Sequence, residues 1–355
     1  MQLGTLKLIA ICVLSAMLPT SLPWRHSVLA QAITSEPVRI FDPTAVVLKD
    51  SDPVNQAKRA LAAHQPEKVA VLLADPSKVS SDPLAQGRWY WLLAKAALAQ
   101  AKWSTAAQWF NTLANTHHPL SMHARLEYAK LLLNNDPLSA AMIASQLSGL
   151  SPGGYEPKAL EIKALAKANV FQDALKRTEV LLAETAPSTA GATFLLPLAD
   201  ALATQPNTEY KKIALSYYRR IASRLPLQKI GKDAKSKAEL VLSQLSASDQ
   251  EQLNAWSEDD SFAYALALFN AREYEQAEAY YAELTTRFRD APYCQARFMQ
   301  ARAMLQRKSR KDGAPLMKRV AEECATPAIR PRAFFLAAEA YANMDEHGQA
   351  RILYA

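Results

Sequence analysis

The sequence is poor in glycine and cysteine, and these shortages exclude several kinds of site. Nine glycines in 355 residues form no Gly-x-Gly-x-x-Gly or Gly-Lys-Ser/Thr pattern, so no phosphate-cradling loop is predicted. No Gly-x-Ser-x-Gly elbow of a serine hydrolase occurs either. The chain has three cysteines, and none lies near a histidine cluster to complete a closed zinc site. We therefore expect no cofactor and no bound metal.

The remaining composition favours ordered helices. Hydrophobic residues make up 50% of the chain and charged residues 21%, and alanine and leucine dominate most segments. This balance suits packed helix layers better than sheet or a disordered tail.

Small residues recur at a fixed interval. Ala106, Ala140 and Ala174 stand 34 residues apart, and leucines repeat at the same interval seven positions later, at Leu113, Leu147 and Leu181. An interval of 34 residues is the period of the tetratricopeptide helical hairpin. The segments that begin at Trp103, Pro137 and Phe171 are predicted second helices. The first helices are predicted at Trp89 to Ala99, Met122 to Leu133 and Lys158 to Ala168.

The period loosens further along the chain but continues through Ala214, Ala277, Ala314 and Ala350. The sequence therefore predicts an all-α fold, a right-handed α-solenoid of six to eight tetratricopeptide-like hairpins. We expect helical arrays at 53–226 and 262–355, joined by an irregular or helical linker at 227–261. The array ends within a second helix, which suggests truncation at the carboxyl end.

The amino-terminal segment has the order of a secretory signal. Lys7 precedes eleven apolar residues, Leu8 to Leu18, and small-residue cleavage sites follow near Ala30 and Ala32. Eleven apolar residues are too few to cross a bilayer, which needs roughly 20. We predict a signal peptide at 1–30, a loose leader at 31–52, and export to the periplasm without a membrane span.

Two cysteines outside the apolar run, Cys294 and Cys324, bracket a predicted hairpin. They are symmetric about residue 309, and its turn is expected at Ser309 to Gly313. Antiparallel helices would bring the two sulfurs together, and an exported protein meets an oxidising environment. The sequence predicts a Cys294–Cys324 disulfide; the alternative is two separate buried thiols. Cys12 lies inside the apolar run.

The chain has a net charge of +7, and its basic residues fall in two clusters that favour anionic partners. Export makes nucleic acid an unsuitable partner, which leaves acidic cell-wall polymers, anionic lipid headgroups or acidic proteins. The alternative is that both clusters are ordinary solvated helix faces. The candidate anion-binding residues are Lys229, Lys232, Lys235, Lys237, Arg307, Lys308, Arg310 and Lys311.

Three other groups admit a functional and a structural interpretation. His117, His118 and His123 could bind a metal, but two of them fall in a helix connection. The acidic trio at 258–260 could hold a cation, but carboxylates also stabilise the start of a helix. Five aromatic residues could stack on sugars, but their helical spacing favours packing: Trp89, Trp91, Trp103, Trp109 and Phe110.

The amino-acid sequence of the carboxyl-terminal third resembles that of a known family. Ala-Glu-Ala-Tyr-Tyr-Ala-Glu-Leu from Ala277, Cys-Gln-Ala-Arg-Phe-Met-Gln-Ala-Arg-Ala from Cys294 and Val-Ala-Glu-Glu-Cys from Val320 form one run. They precede Pro-Ala-Ile-Arg-Pro-Arg-Ala-Phe-Phe from Pro327. Together they resemble the α-superhelical amino-terminal region of soluble lytic murein transglycosylases, where a lysozyme-like catalytic domain follows the superhelix.

The resemblance implies a role in peptidoglycan cleavage, but the catalytic residue of that family has no counterpart in this chain. That family depends on a glutamic acid in a Glu-Ser dipeptide, and this chain has no Glu-Ser. No catalytic residue is transferred, and whether the whole protein is an enzyme stays open. One hypothesis is a non-catalytic superhelix that positions glycan strands for a lysozyme-like domain. The other is a self-contained protein-interaction scaffold of the cell envelope.

Overall fold

The structure, a computed structural model, describes residues 52–75, 82–150, 154–184 and 194–355. The predicted signal peptide and almost all of the predicted leader lie outside these ranges, as does Cys12. Within them the chain forms helices and no strand. In chain order the helices are α1 Pro53–Ala62, α2 Pro66–Leu72, α3 Pro83–Ala99, α4 Trp103–Ala114, α5 Ser121–Leu132, α6 Pro137–Leu150, α7 Tyr155–Lys167, α8 Phe171–Glu184, α9 Leu195–Ala203, α10 Thr208–Arg224, α11 Lys229–Ser243, α12 Ala247–Leu253, α13 Glu258–Asn270, α14 Tyr274–Arg287, α15 Asp290–Gln306, α16 Arg310–Glu323, α17 Arg330–Ala342 and α18 His347–Tyr354.

Asp-Pro dipeptides begin several of these helices. The carboxylate of Asp52 accepts a hydrogen bond from the backbone N–H of Val54 at 2.7 Å, ahead of α1. Asp82 and Asp136 accept equivalent bonds ahead of α3 and α6. The aspartate satisfies an unpaired N–H of the first turn, and proline next to it has none to satisfy. The sequence thus marks where these helices start.

Helices pack on their neighbours in sequence. Contacts run from α3 to α4, from α4 to α5, from α5 to α6 and onwards, and the same order holds from α13 to α18. The repeated alanines lie where helices approach: the side chains of Ala106, Ala140, Ala174, Ala277 and Ala314 are fully buried. The predicted α-solenoid of helical hairpins is therefore confirmed.

One turn geometry recurs inside six hairpins. A single residue with positive φ follows the first helix, its N–H bonds to a carbonyl three residues back, and the next N–H bonds to a carbonyl five residues back. This is the Schellman arrangement, which usually employs glycine, yet none of the six residues is glycine. They are His64, Ala101, Asn169, Arg272, Lys308 and Asp345.

The predicted linker, residues 227–261, contains α11 and α12. Helix α11 packs on α10, and α13 packs directly on α10 as well. Two hydrophobic cores flank this place, one from Ile162 to Leu245 and one from Ala265 to Ala337. Between them lies an ion pair, in which Arg224 Nη1 is 2.9 Å from Asp260 Oδ1. The junction of the two cores is therefore partly polar.

Candidate functional site

Two adjoining depressions lie beside the start of α16, and we call them together the basic groove. One has a volume of about 380 Å³ and the other about 830 Å³, and both are lined by Lys311, Asp312 and Pro315. The smaller one lies against α15 and the larger one reaches the end of α17. The other lining residues are Arg297, Gln300, Met304, Leu316 and Arg319 in the smaller, and Lys308, Ser309, Arg310, Tyr341, Met344 and Glu346 in the larger.

Cations outnumber carboxylates around the groove. The cations are Arg297, Lys308, Arg310, Lys311 and Arg319, and the carboxylates are Asp312 and Glu346. Among the residues that the structure describes, none of these five cations forms an ion pair. The groove therefore presents net positive charge, which attracts anions.

Asp312 and Arg297 differ in their hydrogen bonding within the groove. Asp312 accepts a hydrogen bond from Ser309 Oγ at 2.7 Å, so one carboxylate is already engaged by its own helix start. The Nε of Arg297 is buried and has no acceptor, while its guanidinium lies 5.8 Å from the centre of the Tyr293 ring. Arg297 thus keeps an unused donor at the smaller depression.

The turn between α15 and α16 places Lys308 at the groove, and its backbone geometry is that of the other hairpin turns. Lys308 has a φ of 66°, and the N–H of Ser309 bonds to Met304 O at 2.9 Å to close the turn. Our expectation that Ser309 to Gly313 forms the turn is wrong, because Arg310 to Gly313 are the first helical residues of α16. The N–H of Gly313 bonds to Ser309 O at 2.9 Å in the helical i to i−4 pattern, so the turn is already complete before Gly313.

The walls of the groove are held at both ends. A side chain on Gly313 would come within 2.9 Å of Leu305 Cδ2, so glycine lets α15 and α16 approach closely near the turn. At the opposite end, the structure joins Cys294 and Cys324 in a disulfide with Cα atoms 5.8 Å apart. Helices α15 and α16 are therefore held together near the turn and at the opposite end of the hairpin.

Within the described chain, Arg307 forms an ion pair, unlike the other three predicted residues of its cluster. Its guanidinium pairs with Glu278 of α14, with 3.3 Å between Nη2 and Oε1. Lys308, Arg310 and Lys311 line the groove, whereas Arg307 is neutralised against the preceding hairpin. The structure thus brings three of these four predicted residues into one site.

The second predicted cluster lies elsewhere, on α11. Lys229, Lys232 and Lys235 are exposed and follow at steps of three residues, so they share one side of the helix. Lys237 instead donates to Asp200 Oδ1 at 2.6 Å, and Tyr218 Oη donates to the same oxygen at 2.6 Å. Helix α11 belongs to the first hydrophobic core and α16 to the second, so the two clusters are different surfaces.

The histidines form no metal centre in the described part of the chain. No group of three or more histidine, cysteine or carboxylate side chains there is placed to hold an ion. His118 is 6% exposed, and its Nδ1 accepts a hydrogen bond from Leu120 N at 3.0 Å. Its contacts are those of a packed side chain.

The acidic trio begins a helix, as the structural interpretation held. Glu258, Asp259 and Asp260 form the first turn of α13, and Ser257 caps it. The pairing of Asp260 with Arg224 could not be predicted, because the two residues are 36 positions apart and the repeat lapses between them.

Most of the predicted aromatic cluster packs inside. Trp89 and Phe110 are buried, Trp91 contacts Phe110 edge-on at 5.4 Å, and Trp109 stacks on Tyr90 at 5.7 Å. Trp103 is the exception, with 59% of its surface exposed. The packing interpretation therefore holds for four of the five, and no continuous sugar-stacking platform is formed by them.

Within the described ranges, the chain has no helix that is both long and apolar enough to cross a bilayer.

Comparison with known proteins adds little to this description. No protein-family model and no curated protein sequence matches the chain. Among solved structures, the chain is similar to the TPR domain of P58(IPK), with 15% sequence identity over 85% of this chain and 90% of that one, at a TM-score of 0.28. The assignment to helical hairpins rests on the packing and the turns described above.

Proposed function

We propose that this chain is a helical-repeat scaffold of the cell envelope that holds peptidoglycan glycan strands in the basic groove. The observation behind the proposal is the charge of that groove, where five cations and two carboxylates line two neighbouring depressions. An elongated anionic polymer can contact both depressions at once, since they share Lys311, Asp312 and Pro315.

The size of the groove suits a sugar or a short peptide branch. Pockets that hold small organic groups usually have volumes of about 300 to 1,000 Å³, and the two depressions measure about 380 and 830 Å³. Lysine and arginine side chains bind carboxylates by charge-assisted hydrogen bonds. Peptidoglycan combines sugar rings with carboxylates, so it offers both features.

Export supports the same partner. The order of Lys7, the apolar run and the small-residue cleavage sites is that of a secretory signal, and an exported basic scaffold meets cell-wall polymers first. On this proposal the chain acts in the periplasm and serves a lytic transglycosylase. Bond cleavage would belong to a lysozyme-like domain, and the helices of this chain would hold and orient the strand.

The test is co-sedimentation of the purified chain with isolated peptidoglycan sacculi. We expect binding that weakens steeply as salt rises, because screened charges attract less. Equal recovery of the chain with and without sacculi would overturn the proposed partner. The intact mass of the endogenous protein tests the transglycosylase association separately: a mass tens of kilodaltons above 39.1 kDa is expected if a catalytic domain is attached.

A second candidate is a protein-interaction scaffold of the envelope. It is favoured by Phe335 and Tyr354, which are 56% and 54% exposed and contact each other with ring centres 6.0 Å apart. Exposed aromatic surface of this kind is often covered by a protein partner. This candidate predicts no affinity for sacculi and no effect of the groove cations on partner binding.

A further inference from the structure

Two arginines on successive first helices face one aromatic ring. The guanidinium carbon of Arg302, on α15, lies 5.9 Å from the centre of the Phe298 ring, and that of Arg332, on α17, lies 5.8 Å from the same ring. Arg302 also lies 5.1 Å from the ring of Phe269 on α13. The two guanidinium groups thus lie on two successive hairpins and contact the same Phe298 ring, and Arg302 also reaches a ring of the preceding hairpin.

Nothing in the described chain compensates this pair of charges. Neither Arg302 nor Arg332 forms an ion pair with any described carboxylate. Arg302 Nη1 donates to the thioether sulfur of Met299 at 3.6 Å, and sulfur of this kind accepts only weakly. Burial lowers the pKa of Arg302, and the charge of Arg332 lowers it further.

Other arginines in similar surroundings have oxygen acceptors. Arg219 donates to the carbonyls of Asn254 and Ala255, at 3.2 and 3.1 Å. Arg224 pairs with Asp260, and Arg287 donates to Trp256 O at 3.1 Å. These three arginines thus have oxygen acceptors, although the Nε of Arg219 has none. Among the described residues, Arg302 has only the sulfur of Met299.

We propose that Arg302 and Arg332 together bind a carboxylate of an acidic peptide segment that lies across α13, α15 and α17. Guanidinium groups match the geometry of a carboxylate, donating two parallel hydrogen bonds. The apolar Phe298 ring lies against both arginines, and exposed Phe335 stands one turn beyond Arg332 on α17. These rings favour a carboxylate with an apolar side chain beside it.

This site is separate from the basic groove. Arg302 extends from α15 towards α13 and α17, whereas the groove lies beside α16 and is lined on α15 by Arg297, Gln300 and Met304. The proposal therefore holds or fails independently of sacculus binding.

The test is a fluorescence-anisotropy titration of the full chain with a labelled peptide of alternating glutamate and leucine. The control peptide carries glutamine in place of glutamate. We expect the glutamate peptide to bind and the glutamine peptide to bind at least about tenfold more weakly, because charge-assisted hydrogen bonds are lost. Equal binding of the two peptides would overturn the proposal.

Variants of the chain locate the site. Arg302→Gln and Arg332→Gln should each weaken glutamate-peptide binding about tenfold, while Arg330→Gln, whose guanidinium lies against Phe334, should leave it unchanged. Arg332 is exposed, so its variant should keep the wild-type melting temperature even if the Arg302 variant does not. Wild-type affinity in Arg332→Gln contradicts the proposal. So does binding of inorganic phosphate at the pair by a chain that ignores the glutamate peptide.

Discussion

The imidazole ring of His118 occupies the space that a side chain on Gly87 would need. A Cβ atom on Gly87 would stand 2.2 Å from Cδ2 and 2.3 Å from Cγ of that ring. His118 belongs to the connection between α4 and α5, and Gly87 lies in α3, so one buried ring joins two hairpins. The contact explains why a glycine is present inside a helix, where it is otherwise unfavourable.

We predict that Gly87→Ala destabilises the protein. The added methyl group must displace a buried ring, and overpacking of this kind costs about 1 to 3 kcal/mol in the free energy of unfolding. Gly149→Ala is the matched control, because nothing lies within 4 Å of that position and alanine favours a helix by up to about 1 kcal/mol. Urea unfolding measures the free energy of unfolding of both variants. Equal values for Gly87→Ala and Gly149→Ala would show that the His118 ring moves aside freely.

The hairpin fold could be predicted from the sequence because its cause is periodic. Ala106, Ala140 and Ala174 mark the close approaches of helices at one interval, and all three are buried. The disulfide partners could be inferred from their symmetry about the same hairpin. The hairpin turn at Lys308 could not, because a lysine gives no sign of the positive φ that packing imposes on it.

The ion pairs between helices could not be predicted, because they depend on which helices pack together. Arg224 and Asp260 meet only because α13 packs on α10, past α11 and α12, and the period lapses between them. Charge density alone indicated Lys308, Arg310 and Lys311, but it equally indicated Arg307 and Lys237. The latter two are neutralised by Glu278 and Asp200, which lie on other helices.

We predict that Asp260→Asn loosens the junction of the two cores. The Arg224 and Asp260 side chains are only 11% and 14% exposed, so removing the carboxylate leaves a largely buried guanidinium without its partner. Loss of one partner of a buried pair costs about 3 kcal/mol or more. Asp259→Asn, at an exposed neighbouring position, should change the unfolding free energy by no more than about 0.5 kcal/mol. Similar denaturation midpoints for both variants would argue against a structural role for the pair.

The pH dependence of one ion pair has a definite sign. Burial raises the pKa of Glu127, but the hydrogen bond from Lys130 and the charges of Lys95 and Lys130 outweigh it, so the pKa lies below its usual value. A lowered carboxyl pKa stabilises the folded state above the pKa of the unfolded chain, and this stabilisation is lost as the pH falls through the folded value.

Glu127→Gln should therefore be destabilising at pH 7, and its effect should shrink as the pH falls below the unfolded glutamate pKa. The pair is partly exposed, which limits the effect at neutral pH to about 1 kcal/mol or less. Thermal melts of wild type and variant from neutral pH down to about pH 3, below the unfolded glutamate pKa, give the measurement. A difference that grows on acidification would contradict the assignment.

Reduction of the Cys294–Cys324 disulfide should destabilise the protein. The bond closes a loop with a sequence separation of 30, and loop-closure entropy predicts a contribution of about 3 to 4 kcal/mol. Alkylation of the denatured protein before and after reduction, followed by mass spectrometry, reports whether the bond forms. Two thiols that alkylate without reduction would show that it does not. The double variant Cys294→Ala with Cys324→Ala should melt at the temperature of the reduced wild type.

The most direct test of the account compares two triple variants in quantitative sacculus binding. One variant replaces Lys308, Arg310 and Lys311 with glutamate, and the other makes the same change at Lys229, Lys232 and Lys235 on α11, so both alter the net charge equally. At about 50 mM salt, where charges are weakly screened, the groove variant should bind at least about tenfold more weakly than wild type, whereas the α11 variant should keep most of its affinity. Equal loss in both variants would mean that net charge alone attracts the polymer, and full binding by the groove variant would contradict the assignment of the groove.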